Sequence, residues 1–395
     1  MNIKKIAAAV CAVGLMAQLT ACGTDSGSAD AAETTTQEET SVKSIELKEE
    51  NFKELGRTYY SDGKIYCALS GSGAEFTFTG TDCSVTITGD ANSTNASMAD
   101  NWARVGIYVN GERVVDDMID NLSETYEVFK SDTEESVDVK IVKLSESPMS
   151  TIAISDITVT GKDVKPAEDK ERLIEFIGDS ITCGYGVDDE DMNHHFSTKT
   201  EDVTKTYAYK TAEAFDADYS MVSFSGYGII SGYSDGENKV SEQTVPQYYT
   251  KLGYSWSTNG SFVPSNIDWD FSKRQPDVIV INLGTNDDSY CKNKDDRCEE
   301  FQQTYVEFIK TIRENNPDAT IIGTLGIMGQ NLYPYVELAV RQYTEETGDE
   351  NVAYLMFDQQ SQDDGIAADW HPTEATHAKA SEKLVEKIKE VMGWE

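Results

Sequence analysis

The hydrophobic pattern of this chain changes period once, near residue 170, and the change demands two different architectures in series. Downstream of it, short apolar runs recur as LIEFIG (173–178), YSMVSFSG (219–226), DVIVINLG (277–284), ATIIGTLGIM (319–328) and NVAYLMFD (351–358). Runs of this length and uniformity suit strands buried on both faces. Between them apolar residues fall at helical spacing, as in Phe301, Tyr305, Phe308, Ile309 and Ile312, or Leu384, Val385, Ile388, Val391 and Met392. Strands alternating with amphipathic helices predict a parallel sheet covered on both sides, an α/β domain over 173–395.

Upstream, over 47–161, the period is two. EFTFTG alternates Phe76 and Phe78 with polar residues, CSVTITGD does the same with Val85 and Ile87, and VGIYVNGERVV sets Asn110-Gly111 between two apolar runs. Asn-Gly in that setting signals a tight hairpin, because both turn positions need positive φ. VDVKIVKL and IAISDITVTG continue the pattern with no amphipathic helix between them. The reading is an antiparallel β-sandwich of jelly-roll type, joined to the α/β domain by a charged linker over 162–172. Tyr59, Tyr60 and Trp102 in this domain suit a core or a sugar-binding face.

In a sheet wound this way ligands sit beyond the carboxyl ends of the strands, so the residues that close the apolar runs are the candidate site. Gly178-Asp179-Ser180-Ile181 closes the first run as a tight turn into a helix, lifting Ser180 among N–H groups that lack intrahelical partners. Those are the parts of an acyl-transfer nucleophile, although Ser or Asp there is more commonly a plain helix cap. SFSGYG (223–228) closes the second run, Gly284-Thr285-Asn286-Asp287 the third, and DWHPTEATH (369–377) follows the last. A serine nucleophile needs a base. His194 and His195 lie in the acidic loop DDEDMNHHF and read as solvated or as a metal or substrate contact, His377 starts the final helix and reads as structural, and His371, ahead of Pro372, is the best-placed base. The N–H groups of Ser180 and Gly226 and the side-chain amide of Asn286 supply donors for an oxyanion.

In order, Gly178 to Ile181, Gly226, Gly284 to Asp287 and His371-Pro372 resemble the four blocks of the SGNH (GDSL) hydrolases, over roughly Leu173 to the C-terminus. The jelly roll ahead of them, the string IEFIGDSITCGYG and the block Asp369-Trp370-His371-Pro372 are similar to carbohydrate esterase family two. The resemblance implies a flavodoxin-like SGNH domain and a serine esterase that deacetylates plant polysaccharides such as xylan and mannan, with no metal or cofactor. It assigns Ser180 as nucleophile, His371 as base, Gly226 and Asn286 as oxyanion donors beside the Ser180 N–H, and Trp370 as a wall of the acyl pocket; Asp287, next to Asn286, is a candidate substrate contact. One position departs from the pattern. The usual acid stands three residues before the histidine, where this chain has Ala368, while Asp369 stands two before it. Asp369 completing a triad and a backbone carbonyl steadying a Ser–His dyad are both open.

The first residues, MNIKKIAAAVCAVGLMAQLTAC, combine a basic start with an apolar stretch from Ile6 to Leu19 that is too short to span a bilayer, the pattern of an export signal. Leu19-Thr20-Ala21-Cys22 resembles a bacterial lipobox, which implies cleavage before Cys22 and lipid on its sulfur. With 1–22 as signal and the polar segment 23–46 as a flexible tether, the expectation is an exported, cell-surface lipoprotein held to the membrane only by its lipid anchor. The chain has 70 acidic and 33 basic residues, a formal charge of -37, which argues against nucleic acid or an anionic bilayer as a direct partner and suits a neutral acetylated polysaccharide or oligosaccharide. Five cysteines remain beyond Cys11 and Cys22; of these Cys291 and Cys298 bracket KNKDDR and either close a small disulfide or stay reduced. No CxxC pair or His/Cys cluster suggests zinc. Rival readings are a lipase or lysophospholipase of the same superfamily, and a glycan-binding surface protein with an inert hydrolase domain. Intact Ser180, Asn286 and His371 argue against the inert domain.

Overall fold

The computed structural model describes residues 42–395, so the expected signal, Cys22 and most of the expected tether lie outside the described residues. The apolar runs form a five-stranded parallel sheet in the spatial order Asp218–Ser223, Leu173–Gly178, Val278–Asn282, Thr320–Leu325, Val352–Met356. The first four of these bury every residue, and only the edge strand Val352–Met356 is partly exposed. Alternate side chains serve opposite faces. Ile177, Ile279 and Ile281 pack with the helices Asp295–Asn315 and Tyr333–Thr347, while Phe176, Val278 and Val280 pack with Tyr207–Ala214 and Glu374–Met392. The chain leaves the Leu173–Gly178 strand toward one edge and then crosses it to build the other side. Its carboxyl end is therefore the point where the winding reverses, the place such sheets offer to ligands.

The N-terminal domain is a nine-stranded sheet, antiparallel throughout. Its long strands Gly73–Gly89, Glu124–Lys143 and Ile152–Pro166 shift register at Gly80/Asp82 and Cys83/Ser84, and such bulges bend a strand so that one sheet folds over its own core. Phe76, Phe78, Val85 and Ile87 all point into that core. At the bend Gly80 and Gly161 face each other so closely that a Cβ on Gly80 would stand 2.2 Å from the Thr160 carbonyl oxygen, and one on Gly161 2.3 Å from that of Thr79. Asn110 and Gly111 take φ of 50° and 82° and join Arg104–Val109 to Glu112–Met118. Val42–Ser44 already pairs with Thr158–Thr160, inside the stretch expected as tether, and the last sandwich strand runs to Pro166, inside the expected linker.

The two domains are joined by packing and by buried charge. Tyr66 stacks on Phe262 at 4.6 Å, the Arg57 guanidinium meets Glu175 at 3.2 Å, and Arg113 reaches Asp202 at 2.7 Å. Tyr59 packs on the same Phe262, and the Trp102 indole donates to the Asn92 carbonyl at 2.9 Å, so both rings serve packing. Cys67, Cys83, Cys183, Cys291 and Cys298 are all free thiols. The Cys291–Cys298 disulfide does not form; both side chains sit in the apolar cluster beneath the sheet, where burial raises their pKa and disfavours the thiolate that disulfide chemistry needs. No helix among the described residues is long and apolar enough to cross a membrane.

Candidate active site

Ser180 opens the short helix Ser180–Cys183 directly after the first strand. The turn is tight enough that a Cβ on Gly178 would lie 2.1 Å from Thr182 Oγ1, so glycine is required there. Asp179 caps the helix by accepting the Ile181 N–H at 3.0 Å, and burial pushes its carboxyl up to about 7. The sheet register brings the other expected residues to the same rim: Gly178 pairs with Ser223 on one side and with Asn282 on the other, and Gly226 and Asn286 follow those strands within a few residues.

His371 joins Ser180 from the last loop. Its Nε2 lies 2.8 Å from Ser180 Oγ, and its Nδ1 lies 3.1 Å from the Ala368 carbonyl oxygen. A carbonyl can only accept, so Nδ1 carries the proton and Nε2 presents its lone pair to the hydroxyl. Burial lowers the imidazole pKa to about 4 against the opposing pull of the Ala368 carbonyl and the Asp369 charge, which keeps the ring neutral near pH 7. That is the protonation state of a general base.

The Asp369 carboxylate does not hydrogen-bond His371, which corrects the triad expectation. Its carboxylate accepts from the Tyr185 hydroxyl at 2.6 Å and from His195 Nδ1 at 2.9 Å. The backbone explains the difference: Asp369 and Trp370 both adopt left-handed conformations, with φ of 47° and 65°, and this kink brings the Ala368 carbonyl onto the ring and turns the carboxylate away. Successive non-glycine residues in that region cost on the order of 1–3 kcal/mol each, and such strain clusters at functional sites.

No acceptor among the described residues takes the N–H of Ser180 or Gly226, and a Cβ on Gly226 (φ 81°) would meet nothing within 4 Å, so this backbone faces open space. The Asn286 amide spends one N–H on the Tyr227 carbonyl at 2.8 Å, which leaves its second for a ligand. Asp287 is not a substrate contact. It is fully buried and accepts the backbone N–H groups of Ile229, Ile230 and Ser231 at 2.7–3.1 Å, fixing the loop that follows Gly226. Trp370, expected as a wall of the acyl pocket, is 55% exposed and stands at the rim beside His371. His377 is buried and accepts the Tyr207 N–H at 3.1 Å, a packing role. Among the described residues, no three His, Cys, Asp or Glu side chains are grouped as a metal ion would require.

Two family models divide the chain between them: the carbohydrate esterase 2 N-terminal domain matches residues 55–167, and the GDSL-like lipase/acylhydrolase family matches 176–379, just over half of the chain. The chain belongs to the GDSL-like lipase/acylhydrolase family. The chain is 32% identical over 345 residues to the cellulase/esterase CelE of Acetivibrio thermocellus, a match that covers 86% of this chain and 39% of that protein. The chain thus spans less than half the length of that relative. It is 25% identical over 359 residues to an acetylxylan esterase / glucomannan deacetylase of Cellvibrio japonicus, covering 90% of this chain and 92% of the relative. Among solved structures, a family two carbohydrate esterase from Clostridium thermocellum in complex with cellohexaose superposes with a TM-score of 0.74 at 30% identity, covering 87% of this chain and 100% of the other.

One residue packed on the candidate base went unrecognised in the sequence. Tyr185 lies flat against the His371 imidazole, with centroids 3.8 Å apart and planes 16° from parallel. It falls within the GDSITCGYG string, but no spacing rule marks an aromatic there as a partner of a histidine nearly two hundred residues away.

Proposed function

We propose that this protein is an exported, membrane-tethered serine esterase that removes O-acetyl groups from plant-type polysaccharides such as xylan, mannan or related glycans. The observation that carries the reading is the hydrogen bond between Ser180 Oγ and a neutral His371 whose other nitrogen is held by a carbonyl. In this reading Ser180 Oγ attacks the acetyl carbonyl carbon as His371 Nε2 takes its proton, and the carbonyl oxygen becomes an oxyanion facing the N–H groups of Ser180 and Gly226 and the amide of Asn286. The tetrahedral adduct collapses, the sugar oxygen leaves with the proton from His371, and an acetyl-serine remains. Water then attacks that ester, again with His371 as base, and acetate leaves as Ser180 recovers its proton.

Glycan as the substrate class draws support from the named activities of the relatives and from two exposed rings beside the site. Trp370 precedes the base, and Tyr233, 71% exposed, donates its N–H to the Gly226 carbonyl at 2.8 Å. Exposed aromatic faces at a catalytic rim suit the apolar faces of sugar rings. The tether rests on the lipobox-like Leu19 to Cys22 alone. The test is acetate release from acetylated xylan and glucomannan beside hydrolysis of acyl esters of rising chain length. Release from the glycans with acetyl favoured over butyryl and octanoyl supports the reading; equal or better kcat/KM on octanoyl esters overturns it in favour of a lipase.

A further inference from the structure

Ser225, the residue before Gly226, gives its N–H to a carboxylate of the other domain. Glu146 lies in the turn between the sandwich strands Glu124–Lys143 and Ile152–Pro166, and residues 143–148 are buried throughout. Its Oε2 accepts the Ser225 N–H at 2.8 Å and lies 3.9 Å from the thiol of Cys183, the last residue of the Ser180 helix. One carboxylate therefore touches both the helix that carries Ser180 and the loop that carries Gly226.

This carboxylate is itself held on every side. The Glu146 backbone N–H donates to Glu201 Oε2 at 3.0 Å, and Lys143 Nζ donates to the carbonyls of Ser145 and Glu146 at 2.6 and 2.8 Å. Glu146 Oε1 and Glu201 Oε1 are both buried with no hydrogen-bond partner among the described residues. Burial raises the pKa of both acids, in keeping with a retained proton. For packing alone such a group is a poor choice, since apolar side chains of similar volume hold an interface without the desolvation cost of buried acids.

We propose that Glu146 is a positioning residue for ester hydrolysis, through which the β-sandwich sets the Gly226 N–H relative to Ser180. The inference rests on the esterase reading above, with Gly226 as an oxyanion donor. It makes the N-terminal domain a working part of the catalytic rim, whatever that domain binds.

The test uses the full chain with Glu146→Gln, Glu146→Asp and Glu146→Ala, assayed on an acetyl ester beside wild type and Ser180→Ala. The folded fraction comes from circular dichroism and thermal melting. Glutamine keeps the reach and an acceptor oxygen and can donate to Glu201, so kcat per folded molecule stays within about threefold of wild type. Aspartate falls short by one methylene and alanine offers no acceptor. Both lose about ten- to a hundredfold in kcat per folded molecule with little change in KM, since misplacing a catalytic group by about 1 Å can cost 10²-fold. If activity in all three variants merely follows the folded fraction, or KM moves and kcat does not, Glu146 is interdomain packing and the proposal fails. An inactive wild type, or a Ser180→Ala variant that keeps its activity, overturns the esterase reading itself and this inference with it.

Discussion

The Tyr185 ring lies 3.8 Å from the His371 imidazole and within 16° of parallel to it, and Asp369 holds the Tyr185 hydroxyl at 2.6 Å. Asp369 thus meets His371 through an aromatic plate and not at its ring nitrogen. Tyr185 fixes the tilt of the imidazole, and the Ala368 carbonyl fixes its tautomer.

Asp369→Ala should lower kcat by less than about tenfold with KM little changed, whereas losing the orienting acid of a Ser-His-Asp triad costs roughly 10⁴. Tyr185→Ala should cost more than Asp369→Ala, because it removes the plate itself. A loss near 10⁴ in Asp369→Ala, with the fold intact by circular dichroism, would restore the triad.

The acid limb of the kcat/KM profile should fall near pH 4. Burial holds His371 there, and the base works only when neutral, so activity is lost as pH drops through that value and is flat across neutrality. An acid limb between pH 6 and 7, the ordinary histidine range, contradicts the buried, carbonyl-held imidazole.

Asn286→Ala should lower kcat by about 10²–10³ with little effect on KM, because its free N–H meets charge that exists only in the transition state. It should also lower the melting temperature, since the Tyr227 carbonyl loses its partner. A variant with normal kcat and raised KM would make Asn286 a substrate binder.

Asp287→Ala should act on stability first. It strands the buried N–H groups of Ile229, Ile230 and Ser231, at about 1–3 kcal/mol for each unsatisfied group. Denaturant unfolding should show a loss of at least about 3 kcal/mol on that scale. Wild-type stability combined with a raised KM would return Asp287 to the substrate.

Period and punctuation carried the architecture: apolar runs with helical spacing between them specify the parallel sheet, and Asn110-Gly111 specifies its hairpin. The rule that ligands sit beyond strand ends then gathered Ser180, Gly226, Asn286 and His371 at one rim. Where the reading fell short, the deciding feature was three-dimensional. A residue-count argument cannot see that left-handed backbone at Asp369 and Trp370 turns a carboxylate aside. Asp287 and Asp179 are both acids beside motif residues, yet one anchors a loop and the other caps a helix, and only the positions of nearby N–H groups decide this. Glu146 lies 79 residues from Ser225 in another domain, where no local pattern links them.

In the proposed reaction Ser180 and His371 act as one nucleophile–base pair. The most direct measurement is kcat for acetyl ester hydrolysis in Ser180→Ala, His371→Ala and the double variant, each confirmed as folded. Members of one nucleophile–base unit fail together, so each single variant should lose on the order of 10⁶ in kcat and the double variant should be scarcely worse. A single variant that retains most of the wild-type rate, or losses that multiply in the double variant, would show that Ser180 and His371 do not work as one unit.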